Sequence, residues 1–426
     1  MEFNKYRLKD LAEYKNERIE TNKLTTANYI STENLLANKQ GKQIANNLPS
    51  SKTVKKYTET DILISNIRPY FKKIWQADNI GGISNDVLNI TSSNEKVSND
   101  YLYYYLSQDK FFQYMTQTSR GTKMPRGDKE AIMEFEIKVP KNITHQNFIS
   151  SLGKSLDNKI EVNKKIIANL EELSQTLFKR WFVDFEFPDK NGNPYKSSGG
   201  EMINSELGEI PLNWKVNELK NIADIRTGYA FKSIEYVYSS KLSVLRTLNI
   251  SKTSCLIEMN NLKFVSNDYI NIPKYNKYSL KIFDTLLVTV GGSIGNIGII
   301  TESNLPSLQN QNMWRFRSLN SKINNPLIYN IIKIINQNVS NQTSGSAREF
   351  YTKKVFENFK IVFPNLNHPI LLKANQIHSN FFNHISNLDK ETKNLVKLRD
   401  ILLPKLMSGE IEIPDDIEVN TDELSI

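Results

Sequence analysis

The sequence predicts an α+β protein: two copies of one mixed α/β domain, separated by two long helices that pair as an antiparallel coiled coil. Three observations carry this. The chain of 426 residues is written twice, with Leu170, Leu173 and Leu177 answered 225 positions later by Leu395, Leu398 and Leu402. That spacing is far longer than the roughly 20–50 residues of a solenoid repeat, so it marks a duplicated domain. Each copy alternates short β-branched runs with amphipathic stretches, and each closes on a proline that introduces a long heptad-patterned segment. The order is a first domain at 1–143, a helical spacer at 144–185 and a linker at 186–212. A second domain follows at 213–366, then a second spacer at 367–409 and an acidic disordered tail at 410–426.

Each domain opens on an amphipathic stretch. Leu8, Leu11 and Tyr14 correspond to Val216, Leu219 and Ile222, and the i, i+3, i+6 rhythm suits a short helix lying on a core. Buried strands follow at Ile62-Leu63-Ile64-Ser65-Asn66-Ile67 and Thr285-Leu286-Leu287-Val288-Thr289-Val290, each run introduced by an acid, Asp61 or Asp284. Further strands are expected at Val87-Leu88-Asn89-Ile90 and Met313-Trp314-Arg315-Phe316, then helices near 101–106 and 327–335. Polar loops at 118–123 and 343–348 precede the closing strands, which end at Pro140 and Pro364. Pro, Gly, Asn and Ser dominate residues 185–200, which read as linker rather than core.

The long helices give the clearest periodicity. Leu156, Asn163, Leu170 and Leu177 are spaced by seven, with Ile160, Ile167 and Ser174 between them and Ile166 and Leu173 widening the stripe. In the second helix Phe381, Leu388, Leu395 and Leu402 repeat by seven. Ile377, His384, Glu391 and Leu398 form the other register, beside Ile385. A lone helix with such a seam leaves it wet, and the simplest partner for each is the other. Antiparallel pairing would set the two domains at opposite ends of a rod about 50 Å long. On this pattern His384 is a packed core histidine.

Composition narrows the function. The net charge is +9, and the seven acids beyond Lys405 (no Lys or Arg lies among them) leave +16 on the rest. A body this basic favours a polyanionic partner, most simply nucleic acid. The one cysteine, Cys255, allows no internal disulfide and fits a reducing compartment. The four histidines lie in no zinc-binding spacing. No signal peptide and no membrane span is visible, so a cytoplasmic protein is expected.

Candidate catalytic centres fail on inspection. Gly291-Gly292-Ser293-Ile294-Gly295 follows a strand but lacks the Gly-Lys-Ser/Thr of a phosphate cradle, and its counterpart Arg68-Pro69-Tyr70-Phe71-Lys72 has no glycine. Asn193-Pro194-Tyr195 is an incomplete methyltransferase motif in the linker, and Pro188-Asp189 is too little for a nuclease site. What remains is two sets of polar loop residues in matching places. The first is Arg68, Tyr70, Lys72, Lys73, Arg120, Lys123, Arg126 and Lys129; the second is Ser293, Asn296, Gln309, Gln311, Asn312, Arg348, Tyr351 and Lys353. Lys and Arg neutralise phosphates, while Arg, Asn and Gln can pair two-pronged with base edges.

Four stretches then carry a resemblance. They are Leu156-Asp157-Asn158-Lys159-Ile160, Leu177-Phe178-Lys179-Arg180-Trp181-Phe182, Leu207-Gly208-Glu209-Ile210-Pro211 and Leu398-Arg399-Asp400-Ile401-Leu402-Leu403-Pro404-Lys405-Leu406. In this order the chain resembles the specificity subunit of a type I restriction–modification system. The resemblance implies a non-catalytic reader of double-stranded DNA, in which each target-recognition domain reads half of a split site and the coiled coil sets the gap. It implies two modification subunits docked on the helices, bringing S-adenosylmethionine for adenine methylation. Restriction subunits would add ATP- and Mg-dependent translocation and cleavage. No cofactor or metal is expected on this chain itself. The competing readings are a self-sufficient DNA methyltransferase or nuclease, and a coiled-coil scaffold that never touches DNA.

Overall fold

A computed structural model of the chain describes residues 1–342, 351–414 and 417. It divides into two compact units, Met1–Ile160 with Asn394–Ile426, and Glu161–Lys393. The division cuts through both long helices. The central helix runs Ile143–Phe182 and the C-terminal helix Pro369–Ser408. Each therefore lends one stretch to each unit, and the helical spacers are not separate bodies.

The two units share one plan. In the first, Ala12–Tyr14, Val87–Ser92, Ile62–Ser65 and Ile74–Gln76 form an antiparallel sheet in that order. In the second, Ala223–Thr227, Met313–Ser318, Thr285–Val288 and Ile297–Ile299 repeat it. A second sheet in each, of four strands in the first unit and three in the second, holds one parallel pair, Tyr29–Ile30 with Gly81–Ile83 and Leu242–Leu245 with Ser307–Gln309. The opening and closing strands pair across each domain, Phe3–Arg7 with Glu136–Pro140 and Trp214–Glu218 with Lys360–Pro364. The apolar runs after Asp61 and Asp284 are strands buried on both faces, as a continuous β-branched run requires.

Both long helices start where the sequence stops the preceding strand. Beyond Pro140 the Asn142 Oδ1 accepts the Thr144 N–H at 2.8 Å, and beyond Pro364 Pro369 takes the first helical position. Within each unit the two helices run antiparallel. In the second, Asn163 Nδ2 donates to Glu391 at 2.9 Å, and eleven residues on, Ser174 Oγ meets His378 Nδ1 at 2.8 Å. In the first, Arg399 holds Asp157 at 2.6 Å, while His145 Nε2 lies 3.3 Å from the Pro414 carbonyl.

Several expectations need correction. The opening stretches are not helices: Leu8–Asp10 and Leu219–Asn221 are single 3-10 turns between strands. A 3-10 turn eclipses residues i and i+3, so Leu8 and Leu11 share a buried side without any α-helix. Leu156, Ile160, Asn163, Ile167 and Leu388 are buried as expected, and Leu170, Leu177, Phe381, Leu395 and Leu402 are partly buried. Leu173 and Leu398 are about half exposed, at 54% and 48%, and His384 is exposed. The buried line of the C-terminal helix instead runs Ala374, His378, Phe382, Ile385 and Asp389. The shift arises because this helix packs on its domain as well as on the other helix, so its buried arc is wider than an a/d seam.

The stretch 186–212 is not a loose linker. Phe187 stacks on Trp214 with centroids 5.0 Å apart, and Phe185 meets the same ring edge-on, both inside the core of the second unit. The first part of the acidic tail is also ordered: Ile413 is buried with Leu403, Leu406 and Met407 in the core of the first unit.

Candidate nucleic-acid interface

In the first unit two loops meet at the end of the strand Ile62–Ser65. The turn 66–73 follows this strand, and the loop 118–127 follows a short helix, Asp109–Gln117. The Arg68 N–H donates to the Pro125 carbonyl at 2.8 Å, and the Gly127 N–H to the Asn66 carbonyl at 3.0 Å. Arg120 and Arg126 exchange backbone hydrogen bonds at 2.8 and 2.9 Å, closing the second loop on itself. Gly127 permits this approach, since a Cβ there would stand 2.8 Å from Asn66 Oδ1.

The structure therefore brings Arg68, Tyr70, Lys72, Lys73, Arg120 and Arg126 to one loop cluster, beside the exposed Lys123 and Met124. Their side chains are not equally free. Lys73 Nζ donates to the Thr32 carbonyl at 2.5 Å, and burial lowers its pKa. Lys72 Nζ lies 2.8 Å from Asp109. Arg126 pairs with Asp86 at 3.1 Å, and Arg120 pairs with Asp128. Asp128 also caps the helix Lys129–Met133, and the Ala131 N–H and the Arg120 guanidinium hold its carboxyl below the usual range. Tyr70 and Phe71 are exposed neighbours with ring centroids 4.8 Å apart. Lys129 is exposed at the start of its helix, outside the loop cluster.

The second unit builds the same turn from other residues. Its turn 289–296 repeats the backbone pattern: Val288 N–H donates to the Asn296 carbonyl as Ser65 N–H does to that of Lys73. The left-handed positions match too, Gly291 and Gly295 standing where the first unit has Arg68 and Lys72. Ser293 is half-buried, and Asn296 Nδ2 is spent on the Ile250 carbonyl at 3.1 Å. Gln311 and Asn312 are exposed in the neighbouring turn.

Two expected contacts here do not face solvent. Gln309 is fully buried and donates to the Arg226 and Met313 carbonyls at 3.1 and 2.8 Å. Tyr351 is buried and donates to Asn336 Oδ1 at 2.7 Å, while Asn336 Nδ2 donates to the Gly295 carbonyl at 3.0 Å. Tyr351 braces the turn from behind through Asn336, and Gln309 ties Arg226 to Met313 beneath the sheet, so neither side chain is turned outward. Lys353 is exposed and paired with Glu357 at 3.2 Å. Arg348 lies outside the described residues.

Residues 232–241 were missed. Ile234 and Tyr238 are almost wholly exposed there, at 91% and 101%. The loop is held from below by Glu235, which accepts from the Lys232 N–H at 2.6 Å and from the Tyr275 and Tyr269 hydroxyls at 3.1 and 3.2 Å. Lys274 sits over the rings of Tyr229 and Tyr275 at 4.9 and 5.1 Å, and Lys263 over Tyr236 at 5.9 Å. The signal was the crowding of tyrosine and lysine between residues 229 and 278. Among the described residues no group of three or more His, Cys, Asp or Glu side chains could hold a metal ion. No helix among them is long and apolar enough to cross a membrane.

Two copies of a two-sheet domain, each fused to a stretch of paired long helices, define a specificity-type architecture. Residues 1–172 and 211–398 match the family described as the type I restriction modification DNA specificity domain, and the chain belongs to that family. It is similar to the type I restriction enzyme MjaIX specificity subunit of Methanocaldococcus jannaschii, 27% identical over 326 residues, 75% of this chain and 70% of that one. It is also similar to the HindI specificity subunit of Haemophilus influenzae, 23% identical over 480 aligned positions, 96% of this chain and all of that one. The solved S subunit of the type I restriction–modification system from M. genitalium shares the fold, with a TM-score of 0.56 at 16% identity, over 98% of this chain and 97% of that one.

Proposed function

We propose that the chain is the non-catalytic DNA-recognition subunit of a type I restriction–modification complex, each domain reading one half of a bipartite duplex target. The observation that carries this is the shared turn with unlike contents: Arg68 and Lys72 in one domain, Gly291 and Gly295 in the other. Identical scaffolds with different loop chemistry suit the reading of two different half-sites. Arg68, Tyr70, Arg120, Lys123, Arg126 and Lys129 are the contacts of the first domain. Ser293, Gln311, Lys353 and the loop 232–241 are those of the second. The basic body supplies salt-dependent, sequence-blind affinity, and base-edge contacts supply discrimination.

The long helices carry the second part of the role. Leu173 and Leu398 occupy equivalent positions of the repeat, and both are about half exposed, at 54% and 48%. A stretch of paired helices repeated in both units supports two copies of one partner, the modification subunits. S-adenosylmethionine then belongs to those subunits, and ATP with Mg to restriction subunits. Methylome sequencing of cells expressing this chain with its modification partner tests the proposal. A single asymmetric motif of two fixed halves around a gap is expected. Methylation by the chain alone, or no motif with the partner present, would refute it.

A further inference from the structure

We propose that Arg68 is the base-reading side chain of the first domain and that it takes the edge of a guanine. This rests on the DNA-recognition reading above and names one contact within it.

Arg68 and Lys72 both have left-handed backbones, at φ 50° each, whereas the equivalent turn of the second unit uses Gly291 and Gly295 at 89° and 85°. Glycine is the strain-free solution for this turn. No atom lies within 4 Å of a Cβ built on Gly291, so only backbone strain, not lack of space, disfavours a side chain there. Lys72 has a structural reason for its side chain, the Asp109 carboxylate at 2.8 Å. Arg68 has none. Among the described residues its guanidinium makes no hydrogen bond and no ion pair, and its Nε is buried without a partner. Its neighbours Arg120 and Arg126 are both answered, by Asp128 and Asp86.

Arg68 thus combines a strained backbone with an uncompensated, half-buried charge, which a folding requirement alone does not explain. Strain of this kind persists at sites of function. A half-buried guanidinium presents its fork in a restricted direction, which suits two fixed acceptors such as guanine O6 and N7. The freely exposed Lys123 needs no such restriction to neutralise a phosphate.

The test compares wild type, Arg68→Lys and Arg68→Gly, each expressed with the modification subunit and read by methylome sequencing, together with thermal denaturation of the purified chains. In wild type, one half-site carries a fixed guanine. In both variants preference at that one position falls roughly 10- to 100-fold, while the other half-site is unchanged. Lys fails because it keeps the charge but not the fork. Arg68→Gly also melts about 2–4 °C higher as the strain is released. Retained guanine preference in Arg68→Lys, or an unaltered motif with merely weaker methylation in Arg68→Gly, would assign Arg68 to a phosphate and overturn the proposal. So would a lower melting temperature in Arg68→Gly, which would make the residue structural. If wild type yields no bipartite motif, it is the DNA-recognition reading that fails.

Discussion

His378 shows how one residue can be passed over by pattern, which put His384 in the core, and still be decisive in packing. It is fully buried in the second unit, where Asn330 Nδ2 donates to Ser174 Oγ at 2.9 Å and lies 3.3 Å from His378 Nδ1. Removal from water disfavours the imidazolium, so the ring is neutral at pH 7. Burial pushes its pKa down to about 4, from an ordinary 6.5. The unfolded chain therefore binds more protons than the folded one between those values, and stability falls as pH drops through that window. The loss should reach about 2 kcal/mol between pH 7 and pH 5. In His378→Asn, urea denaturation across that range should show a pH slope smaller by about this amount; an unchanged slope would place the titrating group elsewhere. The sequence could not separate His378 from His384, because the two are six residues apart and only the domain packed against the helix decides which is covered.

At the scale of elements, the strands and long helices were legible because continuous apolar runs and heptads are strong local signals. The opening 3-10 turns were not, since a leucine every third residue satisfies a helix and a 3-10 turn alike. Gly153 in the central helix illustrates what spacing leaves out. Glycine in an exposed helix interior costs about 1 kcal/mol against alanine. Here a Cβ would meet the Tyr104 ring at 2.5–2.7 Å. That ring is buried, and its hydroxyl is committed to Asp157 at 2.9 Å, so it cannot withdraw. Gly153→Ala should therefore destabilise the protein by about 1–3 kcal/mol, where propensity alone argues for a gain. Chemical denaturation gives the sign, and a higher midpoint would mean that Tyr104 yields.

For the whole molecule, the consequence of helices shared between units is a length. If the paired helices set the gap between half-sites, removing seven residues from each at matching places takes out about 10 Å, or about 3 base pairs. Methylome mapping of the shortened chain with its modification partner should return the same half-sites with a smaller gap. The same halves at the original gap would show that the helices are not the ruler. The loop residues were less legible than the scaffold. Polarity and position alone marked Gln309 and Tyr351 as contacts, yet both are buried braces. They also passed over Ile234 and Tyr238, whose exposure is a property of the folded loop.

Local chemistry was enough for the duplication, the kind of each domain and the two long helices, because apolar periods and prolines act over a few residues; the family came from the resemblance carried by four stretches of sequence. Which residues close each core was decided in three dimensions. The C-terminal Leu403, Leu406 and Met407 complete the core of the N-terminal unit from nearly 300 residues beyond Leu106 and Phe112. Burial depends on contacts between distant segments, and a local pattern holds no information about which distant segment will arrive.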